Sequence, residues 1–205
     1  MGLLLTLAGI QFTHIVDFMI MMPLGPQLTR IFGITDAQFG LLVSAYTFAA
    51  GVSGLLAATY VERFDRKKLL LTLYLLFALA TLACGLAPGY GFLMLARGAA
   101  GTFGGVLSAL SQTIVADVIP FERRGRAMAV VMSAFSVSTV AGVPLSLWLA
   151  AQLGWQAPFI AIAALCGLLA AGAQLSLPPL RQHLMSGRSR ALWHGIAQVL
   201  VDANH

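Results

Sequence analysis

The chain has 205 residues, of which 59% are hydrophobic and only 9% are charged. Soluble domains carry about 25% charged residues, so this composition excludes a soluble enzyme, a disordered chain and a disulfide scaffold. A helix crosses a bilayer with about 20 apolar residues, and the length therefore allows six crossings with short loops. The two cysteines, Cys84 and Cys166, lie in apolar runs and are interpreted as small buried side chains rather than a redox or metal pair.

Charged residues fall in clusters, and the uncharged stretches between them predict the membrane spans. Residues 37–61, 69–96, 98–116 and 127–180 carry no charge. As one helix the last stretch would be roughly 80 Å long, so we expect it to fold back at 152–158, where glycine, amides and proline cluster. With the apolar run at the N-terminus, residues 1–180 are predicted to form a transmembrane bundle with spans 3–26, 37–60, 69–88, 92–117, 127–151 and 158–177.

The spans are predicted to be helices rather than barrel strands. Each is 19 or more residues long and apolar all round, whereas barrel strands have about 10 residues of alternating polarity. Thr35 and Gln38 form a capping-box pattern before the second span, and Pro158 lies where a first-turn proline is tolerated. The predicted fold class is an all-α membrane protein with six transmembrane helices.

The lysines and arginines predict the orientation of the bundle. Ten of the twelve basic residues lie on one side of the predicted spans, and only Arg30 lies in a loop on the other side. By the positive-inside rule the basic side is the cytoplasm, so both termini are expected there. The net charge of +5 is explained by topology and indicates no nucleic-acid partner.

Two ionisable residues, Asp17 in the first span and Arg97 in the fourth, lie inside apolar stretches. A charge at the bilayer centre costs several kcal/mol, so each is a candidate functional residue. Their predicted depths differ by about 6 Å, which is within reach of an arginine side chain, so the two can pair. The alternative interpretation is a buried pair that only holds the bundle together.

Other polar residues extend these two positions into polar helix faces, because residues three or four apart are neighbours on a helix. Converging polar faces predict a water-accessible cavity in which Asp17 exchanges a proton and a cationic or polar substrate competes with that proton. The predicted substrate and proton cavity consists of Asp17, His14, Thr13, Arg97, Ser108, Ser111 and Gln112.

Small residues three or four positions apart predict close helix packing within the bundle. They are Gly40, Ser44, Thr47, Gly51, Gly54 and Ala58 in the second span, and Gly101 and Gly105 in the fourth.

The loop after the second span carries a recognisable motif. Ala58-Thr-Tyr-Val-Glu-Arg-Phe-Asp-Arg-Lys67 resembles the motif G-x-x-x-D-R-x-G-R-K of the major facilitator superfamily. Ala58 and Asp65 replace its two glycines, and Glu62 replaces its aspartate. In the fourth span, Arg97-Gly-Ala-Ala-Gly101 is similar to the R-x-x-x-G element of the same family.

Later elements extend the resemblance over about residues 5–180. The turn at 120–126 is typical of the family. Ala141-Gly-Val-Pro144 resembles the glycine–proline motif of its proton-coupled efflux members, with Ser146 at a commonly glycine position. Leu153-Gly-Trp155 followed by Phe159 is similar to the drug- and sugar-efflux proton antiporters, the arabinose efflux permease-like group.

The resemblance implies the N-terminal six-helix half (3+3 helices) of a transporter that works by alternating access with its cavity near the midplane. It implies proton-coupled efflux across a bacterial inner membrane, with the proton gradient as energy source and no cofactor. Gly142 and Pro144 would bend the fifth span, either passively or as part of coupling. The implied cytoplasmic gate is Ala58, Glu62, Arg63, Asp65, Arg66 and Lys67, in which Glu62, Arg63 and Arg66 would stabilise the outward-facing state.

A whole transporter of this family has two such halves, so the expected partners, besides the bilayer and a small-molecule substrate, are a missing C-terminal half or a second copy of the chain. The alternatives are a self-contained homodimeric transporter and a truncated inactive fragment. Residues 181–205 are predicted to be a cytoplasmic basic segment, in which an interfacial helix can form around Leu192, Ile196 and Val199. An enzyme is not expected, because no hydrolase or metalloprotease motif is present.

Overall fold

The computed structural model describes residues 2–61 and 64–176. Glu62, Arg63 and the predicted segment 181–205 lie outside the described residues, and so do the side chains of Ala58 and Tyr60. The helices are α1 (Gly2–Met19), α2 (Met21–Phe32), α3 (Asp36–Tyr60), α4 (Arg66–Gly85), α5 (Tyr90–Val118), α6 (Phe121–Val137), α7 (Val143–Leu153) and α8 (Ala157–Ser176), with a π-helical turn at Ser138–Gly142 between α6 and α7.

Six helical segments of the described chain are long and apolar enough to cross a membrane, as the sequence predicts. Large apolar side chains cover the outside of the bundle, including Leu55, Leu95 and Leu175, which are 79%, 77% and 89% exposed. Such a surface is unsuited to water and suited to lipid tails. The chain is therefore a multi-pass membrane protein.

The first span differs from its predicted limits, because the helical path does not stop at Pro26. Pro23 has no N–H to donate to the Met19 carbonyl, and the helix is interrupted at Ile20. It resumes as α2, includes Pro26, and ends where Gly33 adopts a left-handed φ of 61°. Asp17 lies 15 residues after Gly2 and 15 before Phe32, roughly 22 Å of helix in each direction.

The helix caps match the sequence pattern. The Thr35 hydroxyl accepts from the Gln38 N–H at 3.2 Å, and the Gln38 side chain accepts from the Thr35 N–H at 2.9 Å. The last two long helices are separated at Gly154, whose φ of 96° suits only glycine. The fold-back predicted at 152–158 is therefore present.

Close packing through small residues involves α5, whereas most of the small residues predicted to pack closely belong to α3. Gly101 and Gly105 of α5 press against the backbone of Tyr46 and Ala50 on α3, where a Cβ atom would clash. Gly54 faces the Gly105 carbonyl, at 3.6 Å from an added Cβ. The prediction was wrong for four residues of α3 that are exposed in this bundle: Gly40, Ser44, Thr47 and Gly51.

The two ends of the bundle are distinguished by charge. At one end, the basic end, Lys67 Nζ donates to the Gln174 carbonyl at 2.9 Å, and Arg66 pairs with Asp117. At the opposite end, the Phe32 and Trp155 rings are 5.3 Å apart, and the Tyr90 hydroxyl donates to the Gln38 carbonyl. Buried apolar residues fill the space between α1, α4, α5 and α8.

Candidate functional site

A fully buried ion pair joins α1 to α5 inside the bundle. Arg97 Nη1 lies 2.9 Å from Asp17 Oδ2, and both side chains are 0% exposed. The same nitrogen donates to the Asp17 backbone carbonyl at 3.2 Å. Arg97 therefore holds both the carboxylate and the backbone of Asp17, close to the interruption of the first span at Ile20.

The aromatic ring of Tyr46 covers the Arg97 guanidinium. The guanidinium carbon lies 4.3 Å from the ring centroid, the geometry of a cation–π contact, which is worth about 2 kcal/mol when desolvated. Arg97 Nε and Nη2 and Asp17 Oδ1 are buried without a hydrogen-bond partner in the described structure. Unpaired buried polar atoms carry a free-energy cost. A proton, a water molecule or a ligand that bonded these atoms would reduce that cost.

An open groove of about 470 Å³ runs between α1, α3 and α5 beside the ion pair. Its lining includes His14 and Phe18 of α1, Tyr46 of α3, and Ser108 and Gln112 of α5. Three of the predicted cavity residues, His14, Ser108 and Gln112, thus line one groove.

The other four predicted cavity residues are buried behind the groove rather than exposed in it. Asp17, Arg97 and Thr13 are 0% exposed, and Ser111 is 1% exposed. The Thr13 hydroxyl is 2.9 Å from the Tyr74 hydroxyl, so Thr13 links α1 to α4, on another side of α1. The reason is helical geometry, since Thr13 and His14 are adjacent in sequence and point about 100° apart.

The basic end carries the motif that resembles a cytoplasmic gate. Asp65, at a position where the family motif has glycine, has an ordinary φ of −58° and accepts from the Lys67 and Lys68 N–H groups at 3.0 and 3.2 Å. It therefore caps α4, which a glycine side chain cannot do. Arg66 is nearly buried, and its Nη2 lies 2.7 Å from Asp117 Oδ2 at the end of α5.

The predicted helix-bend motif lies at the π-helical turn. Gly142 lacks the Cβ that would clash with Val16 and contact Phe12 of α1, and Pro144 is the second residue of α7. The Ser138 hydroxyl contacts the Phe12 carbonyl at 3.2 Å. The glycine's main effect is thus to let α1 approach, close to Asp17, while the π turn marks the irregular backbone.

Three site residues are absent from the sequence-based prediction: Tyr46, Phe18 and Asp117. Tyr46 and Phe18 look like ordinary apolar positions of a span, and only their distance from Arg97 and the groove identifies them. Asp117 could have been found, because it ends a charge-free stretch at the same predicted side as Arg66.

Comparison with known sequences identifies relatives among membrane transporters. The uncharacterized MFS-type transporter YbcL of Bacillus subtilis (strain 168) is 33% identical over 144 residues, which are 70% of this chain and 37% of that protein. The chloramphenicol resistance protein of Streptomyces lividans is 32% identical over 153 residues, 75% of this chain and 39% of that protein. The inner membrane transport protein YdhP of Escherichia coli (strain K12) is 28% identical over 158 residues, 76% of this chain and 41% of that protein.

Solved structures show the same fold. The proton:xylose symporter XylE bound to 6-bromo-6-deoxy-D-glucose matches with a TM-score of 0.80 at 16% identity, over 96% of this chain and 48% of that one. A bacterial homolog of the human lysosomal transporter Spinster matches with a TM-score of 0.74 at 20% identity, over 86% of this chain and 44% of that one. This chain spans less than half the length of the relatives described above.

The sequence profile of the Major Facilitator Superfamily matches residues 7–194. Together with the six membrane-spanning segments and the shared fold, this match establishes that the chain belongs to the Major Facilitator Superfamily, a family of transporters.

Proposed function

We propose that this chain is the N-terminal half of a proton-coupled efflux transporter that works by alternating access. The observation that carries the proposal is the fully buried Asp17–Arg97 pair beside an open groove. A carboxylate that water does not reach directly, held by one arginine, is suited to a cycle in which a proton replaces the arginine as its partner. Ionisable groups buried in a membrane are expensive and are usually functional.

The groove supports the substrate part of the proposal. Ligand sites are concave and combine apolar or aromatic walls with a few polar groups, and Phe18, Tyr46, Ser108 and Gln112 provide such a wall. A chloramphenicol resistance protein is among the relatives, so chloramphenicol is the first compound to test. Its export would be driven by proton entry, without a cofactor.

The charge asymmetry of the bundle supports one orientation in the membrane. We assign the basic end, with its cluster of lysines and arginines, to the cytoplasm by the positive-inside rule, in a bacterial inner membrane. The Arg66–Asp117 contact and the Asp65 cap would then stabilise one closed state of the cytoplasmic side. This role extends to Glu62 and Arg63 by the resemblance of the motif.

The second wall of the transport path requires another domain. A C-terminal half is the favoured partner, because the relatives are more than twice as long as the part matched here. A second copy of the chain is the alternative. Crosslinking of the chain in membranes distinguishes a C-terminal half from a second copy as the partner. Only the arrangement with a second copy gives a covalent homodimer at every expression level.

The mechanism is tested with everted membrane vesicles from cells that produce the chain together with the C-terminal half that completes the transport path. We expect uptake of labelled chloramphenicol when a proton gradient is applied, and loss of at least nine-tenths of that gradient-dependent uptake in Asp17→Asn, about the tenfold effect of 1.4 kcal/mol. Asp36→Asn is the matched control, because Asp36 is exposed at the opposite end. Uptake by Asp17→Asn at the wild-type level removes Asp17 from the mechanism.

A further inference from the structure

A second polar group beside the Asp17 carboxyl lies on α4. Arg97 occupies one carboxylate oxygen, Oδ2, at 2.9 Å, while the other oxygen, Oδ1, is buried without a hydrogen-bond partner in the described structure. The hydroxyl of Thr81 on α4 faces the same carboxyl, and it too is buried without a partner. Thr81 and Asp17 are both 0% exposed, so bulk water does not reach either atom.

The register of α1 relative to α4 explains why these two side chains face each other. Thr13 and Asp17 are four residues apart and therefore lie on one face of α1. The Thr13 hydroxyl is 2.9 Å from the Tyr74 hydroxyl of α4. Thr81 follows Tyr74 by about two helical turns, so it lies on the same face of α4. The face of α1 that carries Asp17 is therefore turned toward the face of α4 that carries Thr81.

The Thr81 hydroxyl is available because it does not bond to its own helix. Thr47, Thr102 and Thr113 each donate to the carbonyl four residues earlier, at 2.8 to 3.1 Å, which is a common arrangement for threonine inside a helix. The Thr81 hydroxyl makes no such bond in the described structure. Because an unpaired buried hydroxyl carries a free-energy cost, we expect this one to be used in another protonation state of Asp17.

Protonation changes the hydrogen bonds that the Asp17 carboxyl requires. A carboxylate only accepts hydrogen bonds, whereas a carboxylic acid also donates one. The guanidinium of Arg97 has N–H donors and no acceptor, so it cannot receive a hydrogen bond from the acid. The Thr81 oxygen has acceptor lone pairs and no partner, and it can therefore accept the hydrogen bond of protonated Asp17.

The other groups around the ion pair are less suited to this role. The titratable or charged groups near Asp17 are His14 on α1 itself, Tyr46 on α3, Cys84 on α4, Arg97 on α5 and Cys166 on α8. The Tyr46 ring lies against the guanidinium, the His14 ring packs over a glycine of α5, and thiols are weak acceptors. The π-helical turn, which also contacts α1, carries no titratable residue.

We propose that Thr81 is a positioning residue for the transported proton: when Asp17 Oδ1 is protonated, its O–H donates a hydrogen bond to Thr81 Oγ1. The proton binds to Asp17 and leaves from Asp17, while Thr81 remains a neutral hydroxyl throughout. Loss of the carboxylate charge weakens the attraction to Arg97, so protonation moves the polar attachment of α1 from α5 toward α4. This inference rests on the proposed proton-coupled function and adds the group that stabilises its proton-loaded state.

Infrared spectroscopy detects this hydrogen bond directly, because the C=O stretch of a carboxylic acid lies at a lower wavenumber when the acid is hydrogen-bonded. The chain is produced together with the C-terminal half, purified in detergent and titrated between about pH 4 and pH 9, a range that includes ordinary and raised carboxyl pKa values. The acid band that is missing in Asp17→Asn belongs to Asp17. We expect this band at a higher wavenumber in Thr81→Val, which removes the hydroxyl and keeps the shape of the side chain, and in Thr81→Ala.

The pH at which the Asp17 band reaches half of its full amplitude is the second readout. Loss of one neutral hydrogen bond from the acid should lower this pH by about 0.5–1 unit in Thr81→Val. Thr81→Ser retains a hydroxyl and should restore the wild-type wavenumber and half-amplitude pH. Thr72→Val is the matched control, because Thr72 is exposed on the same helix, and it should change neither value.

The outcomes separate this inference from the proposed function. An Asp17 band that is unchanged in Thr81→Val and Thr81→Ala overturns the inference and leaves Asp17 as the proton site. A half-amplitude pH that rises in these variants also overturns it, since the Thr81 hydroxyl would then donate to the carboxylate. If no acid band depends on Asp17, the inference and the proton-binding part of the proposed function both fail. A shift that Thr81→Ser reverses and Thr72→Val does not reproduce supports the inference.

Discussion

Arg97 connects more structural features than any other described residue of the site. It bonds the carboxylate and the backbone carbonyl of Asp17, lies over the Tyr46 ring, and belongs to the helix that packs closely on α3 through Gly101. Buried ion pairs of this kind contribute little net stability, because desolvation offsets attraction, but breaking one partner leaves a buried charge. The pair is therefore a sensitive point for both folding and function.

For this reason the single substitution of Arg97 should lower the free energy of unfolding more than the double substitution of Asp17 and Arg97. Arg97→Gln should lower the free energy of unfolding by about 3–5 kcal/mol, because it leaves the Asp17 carboxylate buried without a partner. The double variant Asp17→Asn/Arg97→Gln should recover most of this loss. Unfolding of the purified protein in detergent measures both, with the exposed Arg123→Gln as control. A double variant no more stable than the single one would show that charge compensation is not the cause.

At the scale of the elements, the contact between α3 and α5 determines where the groove lies. Gly101 and Gly105 bring the α5 backbone against Tyr46 and Ala50, and this approach places the Tyr46 ring between the ion pair and the groove. The exposed small residues of α3, such as Gly40 and Gly51, have open space around them. The spacing of small residues thus marks a helix face that can pack closely, but it does not reveal which face is covered.

The packing function of Gly101 can be checked with a matched pair of alanine substitutions. Gly101→Ala should destabilise the bundle by about 1–3 kcal/mol, since its Cβ would meet the Tyr46 backbone, which cannot move aside cheaply. Gly98→Ala, with nothing within 4 Å, should be neutral or stabilise the helix by up to about 1 kcal/mol. Thermal unfolding of both variants measures the two stability changes. Equal changes in stability would contradict the packing interpretation.

At the scale of the whole molecule, much of the architecture follows from composition, because charge is excluded from lipid and its positions mark the helix ends. The same rule singles out Asp17 and Arg97, since charges inside apolar stretches are rare. Tyr46 could not be found in this way, as a tyrosine in a span has no distinguishing pattern. The continuation of the helical path to Phe32 could not be seen in the apolar pattern either, because polar and basic residues follow Pro26 and a helix can include proline when its neighbours allow it.

The orientation of the whole bundle is open to direct labelling. Both cysteines of the described bundle, Cys84 and Cys166, are 0% exposed, so reporter cysteines can be added to the natural sequence. In intact cells a membrane-impermeant maleimide should label Asp36→Cys at the opposite end and should label Arg123→Cys at the basic end only after permeabilisation. Labelling of Arg123→Cys in intact cells would reverse the assigned orientation.

The position of Asp17, halfway along a helical path of two segments, has an electrical consequence. The voltage across a membrane acts on a charge in proportion to the fraction of the field that the charge crosses, and a full crossing is worth about 2.3 kcal/mol per 100 mV. A proton that reaches Asp17 from one face crosses part of the field, and on release to the other face it crosses the remainder. Loading and release would thus divide the membrane voltage between two separate steps of the cycle.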